Sequence, residues 1–336
     1  MNVLVIQTAF LGDLAITLPF IDAIDRTIAP EKIFLVAQPF AADLLYGTKY
    51  EDNVIVYDKK GDDAGIGGFL TAAFKIRRAG VSIVFCPHLS IRSAALSLLS
   101  GATERRGFEK NACKTVFNRR FEYEFYGGSH YIDKLMRLLP ECSDVPDFRF
   151  NFSYDTISEE EAAGLIPRTR PAVGLGIGSA WDIKCLPEGK WAVLAEKLAS
   201  AGYAPVLLGT DRDRIRAGKI IHLMKSNKGE VTDLTGRTDV PLLKSVLKRM
   251  KLVYSNDNAL VHLSSLIGVP VVGIYGPTAR TLGFYPKGEK SAVAELNISC
   301  RPCGLHGARK CVTGKLECME IDPEKIFQLG RALISG

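Results

Sequence analysis

The 336-residue chain is 47% hydrophobic and 24% charged, the composition of ordinary globular domains and enough length for two cores. Its formal charge of +6, from 43 Lys and Arg against 37 Asp and Glu, is too small and too dispersed to indicate nucleic acid, though it suits an anionic substrate or membrane surface. No apolar run approaches the ~20 residues that span a bilayer, so any membrane contact is expected to be peripheral. The opening MNVLVIQTAFLGD lacks the basic start of a signal peptide and reads as a buried strand, which predicts a cytoplasmic chain whose eight cysteines are thiols or ligands rather than disulfides.

In chain order, apolar runs of strand length fall at residues 3–6, 33–37, 54–57 and 82–86, with helical patterns between them. The same alternation restarts at 173–177, 205–208, 252–255 and 271–275, so the spacing predicts two doubly wound α/β units with parallel sheets. Segment 58–68, DKKGDDAGIGG, is a loop by composition. Residues 105–120 gather Arg105, Arg106, Lys110, Lys114, Arg119 and Arg120, which read either as a solvated face or as a contact for an anionic acceptor. The stretch 153–171 ends in IPRTRP and marks a boundary. The expected division is an N-terminal domain at 1–155, a linker at 156–171, a C-terminal domain at 172–322 and a last helix at 323–336 packing back toward the first domain.

Three places carry candidate chemistry. The first strand runs into Leu11-Gly12-Asp13 and a helix that must accommodate Pro19. In doubly wound sheets this turn faces the ligand crevice, and a carboxylate at the positive end of a helix can take a proton from a hydroxyl there, although such acids are also plain first-turn residues. His88, just past the fourth run, is the second candidate base. The C-terminal unit opens with Gly174, Gly176 and Gly178, then Ser179, Ala180 and Lys184, where small residues admit a ligand and Ser179 and Lys184 can hold phosphate oxygens. A solvated Lys184 is the ordinary alternative. The GxGxG spacing is not the dinucleotide GxGxxG, and GxxxxGK and GxSxG are absent, which counts against a Rossmann dehydrogenase, a P-loop enzyme and a serine hydrolase. Further on, Asp257, Asn258 and Ala259 open a helix that carries His262 one turn in, an anion site at a helix start with a carboxylate for sugar hydroxyls. A lone histidine at such a place is otherwise a satisfied structural group.

Taken in order, the LGD turn, the small-residue turn with Lys184, the D-x-x-x-x-H helix and the strand VPVVGIYGPT resemble the bacterial heptosyltransferases, glycosyltransferase family nine, nearer its type II than its type I members. The resemblance runs the length of the chain. It implies a GT-B fold, two Rossmann-like domains facing across a cleft, and metal-independent inverting transfer from ADP-L-glycero-D-manno-heptose to the lipopolysaccharide inner core, with no cofactor. The implied acceptor is an anionic lipid-linked glycan, Kdo-lipid A or its heptosylated form, met at the cytoplasmic face of the inner membrane. Residue by residue, Asp13 matches the family's base; Ser179, Ala180 and Lys184 match its diphosphate turn; Asp257, Asn258, Ala259 and His262 match its donor-binding helix start. Asp211, after the second strand of the C-terminal unit, matches an acid that contacts the ribose, with Asp213 as its rival. The chain departs from the family at Asn258-Ala259, where Thr-Gly is usual.

Cys300, Cys303, Cys311 and Cys318 form one metal-like CxxC half and an irregular second half, so a structural zinc stands beside a loop of thiols as readings of the tail. Outside the family, a twin-domain epimerase or phosphorylase and a non-catalytic nucleotide-sugar binding module are the competing functions.

Overall fold

The computed structural model describes residues 1–143, 147–305 and 307–335, which divide into two compact units. The first comprises Met1–Phe125 and Ser129–Ser153, and the second comprises Tyr126–Gly128 and the chain from Tyr154 onward.

In the first unit the strands are β1 (Asn2–Ile6), β2 (Lys32–Ala37), β3 (Val54–Val56), β4 (Val81–Cys86), β5 (Glu104–Phe108) and β6 (Arg119–Phe121). They form a parallel sheet in the order β3-β2-β1-β4-β5-β6. The helices are α1 (Leu11–Ile28), α2 (Phe40–Leu45), α3 (Gly65–Arg78), α4 (Ile91–Leu99) and α5 (Tyr131–Met136). β1 is buried along Val3–Ile6, as a central strand covered on both faces must be. α1 runs through Pro19 without a break, and it buries Leu14, Ile16, Leu18 and Phe20. The Phe20 ring meets Phe85 of β4 edge to face, 5.5 Å between centroids.

The second unit begins with α6 (Thr156–Leu165) and continues through β7 (Ala172–Gly176), α7 (Glu188–Ser200), β8 (Ala204–Leu208), α8 (Arg214–Leu223) and β9 (Thr232–Asp233). It then adds α9 (Val240–Lys248), β10 (Leu252–Asn256), α10 (Ala259–Ile267), β11 (Val271–Tyr275), β12 (Ser291–Glu295) and α11 (Pro323–Ile334). Its parallel sheet is ordered β12-β11-β10-β7-β8-β9. Counted from the start of each unit, both sheets read 3-2-1-4-5-6, the order of dinucleotide-binding sheets. In each, the direction of winding reverses between the first and fourth strands, β1/β4 and β7/β10.

Two sequence expectations change here. Residues 156–165 are not linker: they form α6, whose first turn is capped by the Asp155 carboxylate accepting from Ser158 N–H at 2.8 Å. Glu159 fastens α6 to α9 by accepting from Arg249 Nη1 at 2.9 Å, while its carbonyl accepts from Nη2. The last helix, expected toward the first domain, belongs to the second unit. α11 buries Ile326 and Phe327 in that unit's core, and the Tyr254 hydroxyl donates to the Phe327 carbonyl at 3.1 Å. A Cβ at Gly330 would stand 2.0 Å from the Tyr254 hydroxyl, so glycine is what lets α11 lie directly on β10.

Candidate functional site

Each unit gathers polar side chains at the C-terminal ends of its two strands on either side of the winding reversal, where open α/β sheets bind ligands. In the second unit, the turn after β7 ends in a short 3-10 helix, Asp182–Lys184. It turns Lys184 inward, 8% exposed, so that Nζ donates to Asp257 Oδ2 at 2.6 Å. Thr278 Oγ1, in the turn after β11, donates to the same oxygen at 2.7 Å, and Ser179 Oγ lies 3.4 Å from the Asp257 carbonyl. An ammonium has three donors; the structure shows one used, on Asp257. Asn258 caps α10 by accepting from Leu260 N–H at 2.8 Å and ties the cap to the first turn by donating to the Gly178 carbonyl at 2.7 Å. Ala259 is the first residue of α10, where free backbone N–H groups and the helix dipole favour an anion.

His262 is 4% exposed in the first turns of α10, and its Nδ1 has no hydrogen-bond partner. Burial pushes its pKa down to about 4 against the pull of Asp257, with Lys184 adding to the lowering, so the ring is neutral at physiological pH. The two candidate ribose acids separate. The Asp211 side chain is 78% exposed and pairs with Arg214 at 2.9 Å, whereas the Asp213 carboxylate packs against the donor turn. A Cβ at Gly178 would meet Asp213 Oδ2 at 2.3 Å. The geometry therefore puts Asp213, not Asp211, beside the glycine turn.

Sequence reasoning passed over three residues that shape this cluster. Asn256, fully buried beside Asp257, donates to the Ile177 carbonyl at 2.7 Å and accepts from Leu186 N–H at 3.0 Å, locking both ends of the Lys184 turn. Thr278 was visible only as the end of a GPT strand terminus. Arg301, from the cysteine-bearing tail, donates to the Thr278 carbonyl at 2.6 Å, to the Gly276 carbonyl and to Glu295 at 2.8 Å, and so braces the turn that carries Thr278.

In the first unit Asp13 is the third residue of α1, half-buried, with Oδ2 accepting from Phe10 N–H at 3.2 Å. Its charge is felt by Tyr123, whose hydroxyl burial and Asp13 together push up to about 12, and it opposes the lowering of Lys59 by burial, Lys60 and Arg92. Lys59, at the start of the segment read as a plain loop, reaches Thr8 Oγ1 at 3.4 Å. His88 Nδ1 lies 3.0 Å from Thr8 Oγ1 and 2.9 Å from Ser93 Oγ, and burial with Lys59 nearby lowers its pKa to about 4. The second candidate base is thus a neutral ring with Nδ1 committed to two hydroxyls.

The basic cluster at 105–120 does not act as one patch. Arg106 is 3% exposed and makes four hydrogen bonds: two to Glu141 at 2.7 and 2.8 Å, one to Glu104 at 2.6 Å and one to the Leu138 carbonyl, with its guanidinium 5.0 Å from the Phe85 ring centroid. That removes it as an acceptor contact. Arg105 donates through Nε to the Val116 carbonyl and through Nη1 to the Ala102 carbonyl. Lys110, Arg119 and Arg120 are exposed, the last two on the edge strand β6. Arg106→Ala is expected to cost about 2–3 kcal/mol in chemical denaturation, below the roughly 3–5 kcal/mol of a fully buried pair because Glu141 stays half-open to water. A loss under about 0.5 kcal/mol, the size of an ordinary surface change, would contradict this structural role.

Cys300, Cys303, Cys311 and Cys318 are free thiols. Among the described residues no group of three or more His, Cys, Asp or Glu side chains is arranged to hold a metal ion. The Cys311 thiol, accepting from Leu316 N–H and beside the Thr313 hydroxyl, is lowered to about 7, while burial raises Cys303 and Cys318. No described helix is long and apolar enough to cross a membrane.

Two parallel α/β units of 3-2-1-4-5-6 order, with an anion-ready helix start in the second, define a GT-B-type protein. The sequence signature of glycosyltransferase family 9 (heptosyltransferase) matches residues 75–310, and the chain belongs to that family. It is therefore a glycosyltransferase. It is 23% identical over 314 residues to lipopolysaccharide heptosyltransferase 1 of Pseudomonas aeruginosa, covering 90% of this chain and 86% of that one. Among solved structures, the ADP-heptose lipopolysaccharide heptosyltransferase II of E. coli superposes with a TM-score of 0.78 at 18% identity, covering 100% and 99% of the two chains. E. coli heptosyltransferase WaaC with ADP-2-deoxy-2-fluoro heptose gives a TM-score of 0.70 at 18% identity, covering 99% of each.

Proposed function

We propose that this glycosyltransferase moves a heptose from ADP-L-glycero-D-manno-heptose to the lipopolysaccharide inner core at the cytoplasmic face of the membrane. The observation that carries the reading is the cluster of Lys184, Asp257 and Thr278 at the start of α10, a cation and a helix N-terminus together at one strand edge. That arrangement suits a diphosphate, and the P. aeruginosa and E. coli relatives supply the sugar and the acceptor class by their names.

In the reaction, Asp13 takes the proton of an acceptor hydroxyl as its oxygen bonds to the anomeric carbon. The bond from that carbon to the diphosphate breaks, and ADP leaves with the electron pair. Lys184 and the N–H groups of α10 stabilise the charge that develops on the leaving oxygen, a fixed electrostatic contribution that needs no reorganisation at the moment of transfer. Asp257 holds Lys184 in place and accepts from sugar hydroxyls. Neutral His262 offers a hydrogen-bonding edge without adding charge. Asp213 replaces Asp211 as the acid assigned to the ribose.

A panel of nucleotides measured by thermal unfolding tests the donor assignment. ADP and ADP-heptose are expected to stabilise the fold, by about 2.7 kcal/mol at a hundred times the dissociation constant, with UDP and GDP far weaker. Stabilisation by UDP or GDP in place of ADP would overturn the donor nucleoside.

A further inference from the structure

The first unit presents an apolar surface that its own core leaves uncovered. α3 turns Ala72, Ala73 and Ile76 into that core, yet Ile66, Leu70 and Phe74 are 79%, 56% and 61% exposed. Their spacing of four residues lines them along one face of the helix. α4, which packs against α3, repeats the arrangement with Ile91 at 61%, Leu98 at 53% and Leu99 at 43% exposed. Monomeric proteins scatter single apolar side chains over their surfaces, but two adjacent stripes are a patch that implies a partner.

The charges say which partner. α3 and α4 together contain no Asp or Glu, though the whole chain carries 37, and they carry Lys75, Arg77, Arg78 and Arg92. Lys75 and Arg78 are exposed, and the Arg78 guanidinium stands 5.7 Å from the centroid of the exposed Phe74 ring. Asp62 and Asp63 lie in the preceding loop, beyond the N-terminal end of α3. A two-fold contact between copies would bring like cations toward one another, which disfavours self-association through this face. Apolar stripes flanked by cations are instead the pattern of helices that lie in the interface of an anionic bilayer.

We infer that α3 and α4 dock the protein on an anionic phospholipid surface, with Ile66, Leu70, Phe74 and Ile91 entering the acyl boundary and Lys75, Arg78 and Arg92 meeting the headgroups. The inference deepens the reading of a lipid-linked acceptor and rests on it, since a bound protein meets such an acceptor in two dimensions rather than by diffusion through water.

The test is sedimentation of the full-length protein with vesicles of phosphatidylcholine alone and of phosphatidylcholine with phosphatidylglycerol, neither containing acceptor. Wild type is expected to bind the mixed vesicles and release as salt is raised. Leu70→Gln with Phe74→Gln, and separately Lys75→Gln with Arg78→Gln, each lower the partition coefficient by about tenfold or more. All of these positions are exposed, and thermal stabilisation by ADP is measured on the same samples. Equal binding to both vesicle types, or variants that bind as wild type does, overturns the inference. So does a dimer in sedimentation equilibrium that Leu70→Gln with Phe74→Gln dissolves, because the face then belongs to a second copy. Loss of vesicle binding with ADP stabilisation intact leaves the proposed reaction standing; vesicle binding without any ADP effect removes the reaction and keeps the surface.

Discussion

Asp13→Asn is expected to lower turnover by about 10²- to 10⁴-fold, the contribution of a general base, and to leave donor affinity unchanged. The substitution keeps the size of the side chain and its oxygen for Phe10 N–H at the start of α1, so the helix cap survives and only the proton acceptor is lost. A group acting on the acceptor hydroxyl works in the transition state, so kcat falls while the dissociation constant of ADP holds. Single-turnover rates beside ADP titrations give both numbers. If donor affinity falls with the rate, Asp13 contacts the donor. If neither changes, the base is another group of the first unit, and neutral His88 through Nε2 is the next to test because its Nδ1 is held by Thr8 and Ser93.

Lys184→Ala is expected to weaken ADP binding by about 1.5–3 kcal/mol, roughly 10- to 150-fold, the worth of a charge-assisted contact to phosphate. It also strips a nearly buried Asp257 of its cation, so stability falls as well. Denaturation of the ligand-free variant separates the two effects: affinity is read only under conditions where the variant is folded. Unchanged ADP affinity in folded protein would leave Lys184 as the partner of Asp257 and nothing more.

The eight apolar runs read from the sequence coincide with β1 to β4, β7, β8, β10 and β11; seven of them lie inside their sheets and are largely buried, and β3, a half-buried edge strand, was legible from its β-branched VIV run. The missed strands lack such runs for physical reasons. β5, with the sequence ERRGF, looks like surface until Glu141, 35 residues away, neutralises Arg106 inside the sheet. β6 and β9 have three and two residues, and β12 is an edge built on small side chains. α6 was hidden by the prolines that follow it, although Asp155 and the run EEEAA carry a cap and good helix formers. Of the donor cluster, the motif order gave Lys184 and Asp257 separately. Their contact joins residues 73 apart, and the supports come from the last residue of β10, Asn256, and from two separate loops that carry Thr278 and Arg301, which no local spacing encodes.

Heptose transfer itself is read by mass spectrometry of the acceptor after incubation with ADP-heptose. Kdo-lipid A and its singly heptosylated form are offered in parallel to wild type and to Asp13→Asn. Wild type is expected to add one heptose to one of these acceptors and to release one ADP for each, while Asp13→Asn adds it about 10²- to 10⁴-fold more slowly. Release of ADP without a heavier acceptor, or transfer from a different nucleotide sugar at a rate ADP-heptose does not reach, would contradict the proposed reaction.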